Sequence, residues 1–538
     1  MKIISFLIIL VTFSSFSQEE DAWVYFKDKP ASNIYLNSPL LMLSQRAIER
    51  RENQGISFDL KDVPIEFSYI SEIYEATGIS VKAKSKWLNA VHVQGTQSNI
   101  ELLLYLSSVN SIQFVNRILN KSVSEKSTNK FKLEKITTVN ELNYGFAENQ
   151  IMMLNGDFLH DMGYTGQGIQ IAVLDAGFKG VETFNAFSNL HDNNTLNGEI
   201  LGGYDFVNRN SNFYFDMGNT HGLSVLSTIS GFIDSQFIGT APDAQFYLFI
   251  TEDSGSETPL EESLWVEAVE KADSLGVDII NTSLGYTTFD NSDYDYSYSD
   301  MDGQTTFISR GAEIACSRGM VLVTSAGNEG NSSWKYISAP ADVSSVLTVG
   351  AVDENEVISF FSSYGPTADN RVKPEVLAQG EKVYIINNEG NIATSNGTSF
   401  SSPIMAGMVA CLWQAFPSKS SDEIKELILG STDSFYNPSS HGGYGIPNFE
   451  SIYNLLDVDT VKSSEIKIYP NPMVNTLTIE SNQADFSIKI FNLLGKLVYN
   501  KNSSFSQIII DTSFLKNGMY ILKICSEKME TTFKIIKK

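Results

Sequence analysis

Asp175, His221 and Ser399 are the three residue types that together can turn a hydroxyl into a nucleophile for a carbonyl carbon. A serine hydroxyl attacks poorly until a base takes its proton. An imidazole can do so near neutral pH, and a carboxylate behind it fixes the tautomer and stabilises the cation that forms. Each residue also stands where a scaffold could present it. Asp175 closes the apolar run IAVL, and His221 opens HGLSVLSTISG, which has helical spacing. Ser399 lies in NGTSFSSPIMAGMVACLWQAF, where a glycine turn leads into an apolar helix, with Pro403 expected in its first turn. Singly, they read as a turn residue, a structural histidine and a helix N-cap. Together, they are the set that acyl transfer through a serine ester needs.

Asn328 ends the apolar run LVTSAGN and adds an amide that could donate to a developing oxyanion, with the Ser399 N–H as its partner. Other chemistries lack their parts. The chain has no HExxH and no GxxxxGK[ST]. The string Gly397-Thr398-Ser399-Phe400-Ser401 is not the G-x-S-x-G elbow of the α/β-hydrolases.

The elements that must hold these groups form an alternating pattern. Apolar runs at 169–177, 245–251, 277–285, 320–328 and 345–353 read as strands buried on both faces, and helical patterns at 261–275 and 306–318 separate them. This is an α/β signature, a parallel sheet covered by helices, whose ligands bind beyond the carboxyl ends of the strands. It spans residues 141–455. Before it, residues 18–118 read as a small α+β unit, with strands at 24–26 and 87–95 and helical spacing at 39–52 and 98–108. Residues 119–140, rich in Lys, Ser, Thr and Asn, read as an accessible linker. Residues 466–538 hold several short alternating strands and read as a small all-β sandwich.

The 538 residues carry a formal charge of −25, unevenly spread. Residues 466–538 hold ten Lys against five Asp or Glu, and 18–125 hold thirteen acids against eleven bases, so the acidic excess belongs to the middle of the chain. Such a surface repels nucleic-acid phosphates, and no nucleic-acid partner is expected. Residues 1–17, MKIISFLIILVTFSSFS, have the charge, apolar run and small-x-small end of a secretory signal peptide. Three cysteines, at 316, 411 and 525, are too few and too apolar in setting to make disulfides the main support.

The strings IAVLDAGF, THGLSVLSTISG, GTAPDAQFYLF, VDIINTSLGY, TSAGNEGN, VLTVGAVD and NGTSFSSP resemble the blocks of the subtilisin-like (subtilase, S8-type) serine peptidases, in that family's order. The resemblance covers about 141–455, with GGYGIPN near its close. It implies a serine endopeptidase acting on polypeptides, with Asp175, His221 and Ser399 as the triad and Asn328 in the oxyanion hole. Ser283-Leu284-Gly285 would pair with substrate backbone, and Ser325-Ala326-Gly327 would wall the pocket for the residue before the scissile bond. No cofactor is implied for the chemistry. Calcium sites are frequent in the family, but no ligand set is assigned here; Asp192-Asn193-Asn194 is a candidate piece or an ordinary turn. Departures are Ala176, where the family has Thr or Ser, and Leu223-Ser224, where it has Thr-His.

The N-terminal unit resembles a subtilase prodomain, which implies an intramolecular inhibitor cut within 119–140. Residues 466–538, with YPNP, LLGKLV and GMYILKI, resemble the sorting domain of type IX secretion, which implies export across the outer membrane of a Gram-negative bacterium by that machinery. The acidic loop TEDSGSE (251–257) is expected beside the non-primed substrate side, favouring basic residues. The competing reading is a subtilase fold without activity, used as a binding or adhesive surface protein. The acid-active sedolisin branch uses Glu and Asp where this chain has His221 and Asn328.

Overall fold

The computed structural model describes residues 19–120, 142–191, 197–214, 219–464, 466–481, 486–492, 496–504, 506–525 and 530–538. The signal-peptide reading, the cut within 119–140 (apart from its first two residues) and Asp192-Asn193-Asn194 therefore lie outside the described residues. The chain divides into two compact units, Met1–Glu450 and Ser451–Lys538.

The first unit begins with a four-stranded antiparallel sheet of β1 (Glu19–Phe26), β2 (Ile79–Ser85), β3 (Ala90–Thr96) and β4 (Val109–Phe114), in the order β2-β3-β1-β4. Between β1 and β2 lies helix α1 (Gln45–Asn53), capped by Ser44, whose side chain accepts from the Ala47 N–H.

The rest of the unit is built on β5 (Gln170–Asp175), β6 (Glu199–Asp205), α2 (His221–Ser230), β7 (Gln245–Ile250), α3 (Pro259–Leu275), β8 (Ile279–Thr282), α4 (Phe307–Ser317), β9 (Val321–Ser325), β10 (Leu347–Val352), β11 (Val376–Gln379) and α5 (Thr398–Ala415). The seven strands form one parallel sheet in the order β11-β10-β9-β8-β5-β7-β6. Every residue of β5, β8, β9 and β10 is buried, which accounts for their unbroken apolar character. Strand β6 has no such signature, because it is mostly half-buried and bulges at Leu201, between Ile200 and Gly202, against β7.

Helix α3 shows why its ends fall where they do. Thr258 and Glu261 form a reciprocal capping box, and Pro259 occupies the first turn at no hydrogen-bonding cost. Gly276 ends the helix at φ +93°, in the left-handed region where only glycine rests without strain.

The N-terminal sheet and the large sheet share an interior. Trp23, Ala83, Trp87 and Val115 belong to the same apolar cluster as α3 and α4 residues such as Trp265, Val269, Phe307 and Ile308. Trp23 stacks on Phe307 at 4.6 Å between ring centroids, and its indole N–H donates to Ser263 Oγ at 2.9 Å. Such a stack adds about 0.5–1.5 kcal/mol to the area it buries.

The second unit is all-β beyond the helix that leads into it. Three strands from Ile466–Tyr469, Thr476–Ser481 and Gln507–Asp511 form one sheet, and four from Phe486–Asn492, Leu497–Ser503, Gly518–Cys525 and Glu530–Lys537 form another. Leu477 and Ile479 of the first share a core with Ile488, Ile490, Leu522, Ile524 and Ile535 of the second, as in a sandwich. Among the described residues no helix is long and apolar enough to cross a membrane.

Candidate active site

Asp175 stands at the carboxyl end of β5, 2% exposed, and its backbone carbonyl accepts from the Thr251 N–H at 3.2 Å. His221 is the first residue of α2, held by the Asn219 side chain, which accepts its N–H at 2.8 Å. The two elements can meet because residue 222 is glycine. A Cβ there would stand 2.7 Å from the Gly177 carbonyl and 2.9 Å from Asp175 Cβ, where neither can move aside. With the space empty, His221 Nδ1 lies 2.8 Å from Asp175 Oδ1. The Asp175 carboxylate raises the imidazole pKa above its ordinary value, partial burial opposes the rise, and the hydrogen bond and Glu252 add to it. The second oxygen, Asp175 Oδ2, is buried without a hydrogen-bond partner.

The departures from the family strings settle into ordinary packing. Ala176 donates its N–H back to Asp175 Oδ1 at 2.8 Å. Leu223 is fully buried, and the Ser224 hydroxyl donates to the Ile386 carbonyl at 2.9 Å.

Ser399 is the second residue of α5, whose N-cap Gly397 sits at φ +147°. Pro403 is not in the first turn, as expected from sequence, because the helix starts at Thr398. It lies deeper, where its missing N–H would have served the Ser399 carbonyl four residues back. That carbonyl instead accepts from the Ser283 hydroxyl at 2.9 Å, and the Ser399 hydroxyl donates to the Ser283 carbonyl at 3.2 Å. The Ser399 hydroxyl is free to rotate its hydrogen from this carbonyl toward a base within reach. The aromatic ring of Phe400, next to Ser399, lies 5.8 Å from the His221 ring.

Asn328 follows β9 and is exposed. Its Oδ1 accepts from both the N–H and the hydroxyl of Thr398, at 2.8 and 2.9 Å, which leaves Nδ2 as a free donor. A Cβ built on Gly397 would stand 3.5 Å from Asn328 Nδ2 and 3.7 Å from Ser399 N, so the two nitrogens border one opening. Thr398 was not singled out from the sequence; a threonine before a helix serine carries no pattern of its own.

Strand β8 ends at Thr282, and Ser283 is buried while Leu284 is half-buried and Gly285 exposed. Leu284 and Gly285 make no backbone hydrogen bond among the described residues, so this edge is open to an extended peptide. Ser325 and Ala326 are buried at the end of β9, and Gly327, at φ +105°, takes a hydrogen bond from the Ser363 N–H at 3.0 Å. Ser338, also unflagged in the sequence, fills the space between the two runs. A Cβ on Gly285 would meet its Oγ at 2.1 Å and one on Gly327 at 3.3 Å.

Beside this site, burial raises the carboxyl pKa of Glu252 to about 8 and that of Glu261 to about 9, with Glu257 adding to the first and Glu252 to the second. Glu252 accepts from the Tyr286 hydroxyl at 2.7 Å. Among the described residues no three His, Cys, Asp or Glu side chains cluster as a metal site.

A parallel α/β sheet that presents an imidazole–carboxylate pair, a helix-borne serine and a lone amide at its carboxyl edge defines a class of serine hydrolase. The model of the subtilase family matches residues 166–446, more than half of the chain, and the protein belongs to that family. A peptidase S8 propeptide domain of the Bacteroidota type matches residues 21–132, and a secretion system C-terminal sorting domain matches 467–538. The chain is 30% identical to subtilisin DY of Bacillus licheniformis over 304 residues, 56% of this chain and 96% of that one. It is 25% identical to M-protease of Shouchella clausii over 434 residues, 79% of this chain and 99% of that one. Among solved structures it resembles a protease of Pseudoalteromonas arctica, at 22% identity and a TM-score of 0.45, covering 58% of this chain and 98% of that one. The protein is therefore a subtilisin-like serine peptidase, made as a zymogen and secreted, and subtilases carry out their chemistry without a cofactor.

Proposed function

We propose that Ser399 is the nucleophile, His221 the general base and then acid, and Asp175 the carboxylate that holds and charges the imidazole. The 2.8 Å contact between His221 Nδ1 and Asp175 Oδ1 carries this reading, since it leaves Nε2 as the basic nitrogen. His221 takes the Ser399 proton as Oγ bonds to the scissile carbonyl carbon. The oxyanion is met by Asn328 Nδ2 and Ser399 N–H, and the imidazolium gives its proton to the leaving amine. Water then repeats the sequence on the acyl-enzyme. The substrate lies as an added strand along Ser283-Leu284-Gly285, and Ser325-Ala326-Gly327 wall the pocket of the residue before the cut.

In this reading residues 18–118 block the cleft until the chain cuts itself within 119–140, and residues 466–538 deliver the protein to the type IX machinery and are then removed or exchanged for a surface anchor. Basic substrate residues on the non-primed side are favoured by the acidic loop 251–257, where Asp253 and Glu257 are exposed. The test is maturation of Ser399→Ala in a protease-free host. The full-length chain should accumulate uncut and folded; normal processing would overturn the self-cleavage reading.

A further inference from the structure

The prodomain touches the catalytic domain in two places that adjoin along α3, its sheet side reaching Glu270 through Ser85 and Trp87 and its arm reaching Asp273. One is the face of its sheet on α3 and α4. The other is an arm between β1 and β2 that wraps to the edge of the large sheet where the strands begin rather than end. Here α1 lies against the C-terminal end of α3.

The contacts there are dense and polar. The Ser44 N–H donates to the Ser274 carbonyl at 2.8 Å and its hydroxyl to the Leu275 carbonyl at 2.9 Å. Arg46 donates to the carbonyls of Gly276 at 3.1 Å and Gly168 at 3.0 Å, and pairs with Asp278 at 2.5 Å. Arg50 donates to the Val277 carbonyl and pairs with Asp273 at 2.5 Å; Arg51 joins the same carboxylate at 2.9 Å and Asp62 of the arm at 3.0 Å. Gln54 donates to the Gly319 carbonyl at 2.9 Å and accepts from the N–H and hydroxyl of Ser421 at 3.0 and 3.2 Å. Arg318 of the catalytic domain returns the exchange by pairing with Asp59 at 2.9 Å.

The catalytic domain's side of this contact is a docking surface for a cation-bearing helix. It presents two carboxylates and the free carbonyls of a helix C-terminus, the negative end of its dipole. Gly276 is what lets the partner approach: besides its left-handed φ, a Cβ there would stand 2.8 Å from the Ala47 backbone nitrogen.

We propose that residues 44–62 are a second anchor, independent of the cleft, which retains the prodomain on the catalytic domain after its link to the chain is cut. The cut frees only the prodomain's C-terminal end. The arm stays seated a strand's length away from the active site, roughly 15–20 Å at about 3.3 Å per residue. Its departure requires Asp273, with no exposed side-chain surface, to give up both Arg50 and Arg51. Release is therefore slow and hastened by salt, because Arg46, with 38% of its side chain exposed, can exchange Asp278 for ions of the solvent, whereas the buried Arg50 and Arg51 pairs are screened far less.

The test separates retention from self-cleavage. A full-length Ser399→Ala chain with a tobacco-etch-virus protease site placed within 124–134 is cut in vitro, and prodomain release is followed by size-exclusion chromatography at 0.05 and 0.5 M NaCl. The parent should keep its prodomain after cutting at low salt and lose it faster at high salt. Arg46→Ala should release it about tenfold or more faster at low salt, with a weaker salt response. Gln54→Ala, which removes hydrogen bonds but no charge, should also release faster while keeping the parent's salt response. Thermal melts of the uncut variants confirm that each starts folded. Immediate release from the parent, or equal and salt-insensitive rates in parent and variants, would overturn the proposal.

Discussion

Ser283 and Ser399 exchange hydrogen bonds, hydroxyl to carbonyl in each direction, at 2.9 and 3.2 Å. The exchange exists because Pro403 cannot donate to the Ser399 carbonyl, so the first turn of α5 is tied to the end of β8 instead of to itself. That tie sets the serine against the strand edge proposed to receive substrate.

Ser283→Ala should therefore cost more than a surface hydroxyl. It leaves the Ser399 carbonyl without a donor and takes away the hydroxyl that accepts from Asn281 Nδ2 at 3.1 Å. An unmet buried acceptor costs about 1–3 kcal/mol. Thermal unfolding should show a drop of several degrees, and kcat should fall with it as the nucleophile loosens.

Asn328→Ala should lower kcat about 10²–10³-fold with little change in KM, the loss found when this kind of donor is removed from subtilisin itself. Thr398→Val, which removes one of the two bonds that aim the amide, should lower kcat less, by about tenfold, again at constant KM. Steady-state kinetics on one peptide substrate checks both.

The pH profile should bear the mark of Asp175. Because its carboxylate raises the His221 pKa, the acid limb of kcat/KM should fall above the ordinary imidazole value of about 6.5. Protons taken up below that limb remove the base. Asp175→Asn should move the limb to lower pH and reduce the rate about 10⁴-fold. A limb unmoved by the substitution would assign the titration to another group.

Glu252 offers a test on stability. Its folded pKa of about 8 lies above the unfolded value of about 4.3, so folding favours the protonated form. The associated stability is complete below the unfolded value and is lost as pH rises through about 8. Glu252→Gln keeps an oxygen for the Tyr286 hydroxyl and removes the charge. In a Ser399→Ala background, its melting temperature should exceed the parent's at pH 8–9 and match it near pH 4.

The sequence disclosed the catalytic scaffold well because its strands are buried on both faces, so their apolar runs stop where Asp175 and Asn328 begin. The serine helix was legible too, although its start was misjudged by a few residues relative to Pro403. Other features left no local trace. Strand β2, ISVKAKS, hides behind its lysines, and β6 behind its bulge at Leu201. Helical spacing marked the arm at 39–52, but nothing near it in sequence showed that Arg50 and Arg51 meet Asp273, more than two hundred residues on. Ser338 and Thr398 are small polar residues in loops and turns, and their roles come only from what the fold places beside them.

The central claim concerns one hydroxyl, and a fluorophosphonate probe addresses it directly. Incubation with the processed, folded protein, followed by peptide mass mapping, should place the adduct on Ser399 at close to one per molecule, and His221→Ala should abolish it. A folded, processed sample that takes up no probe, or takes it up at another residue, would contradict the account.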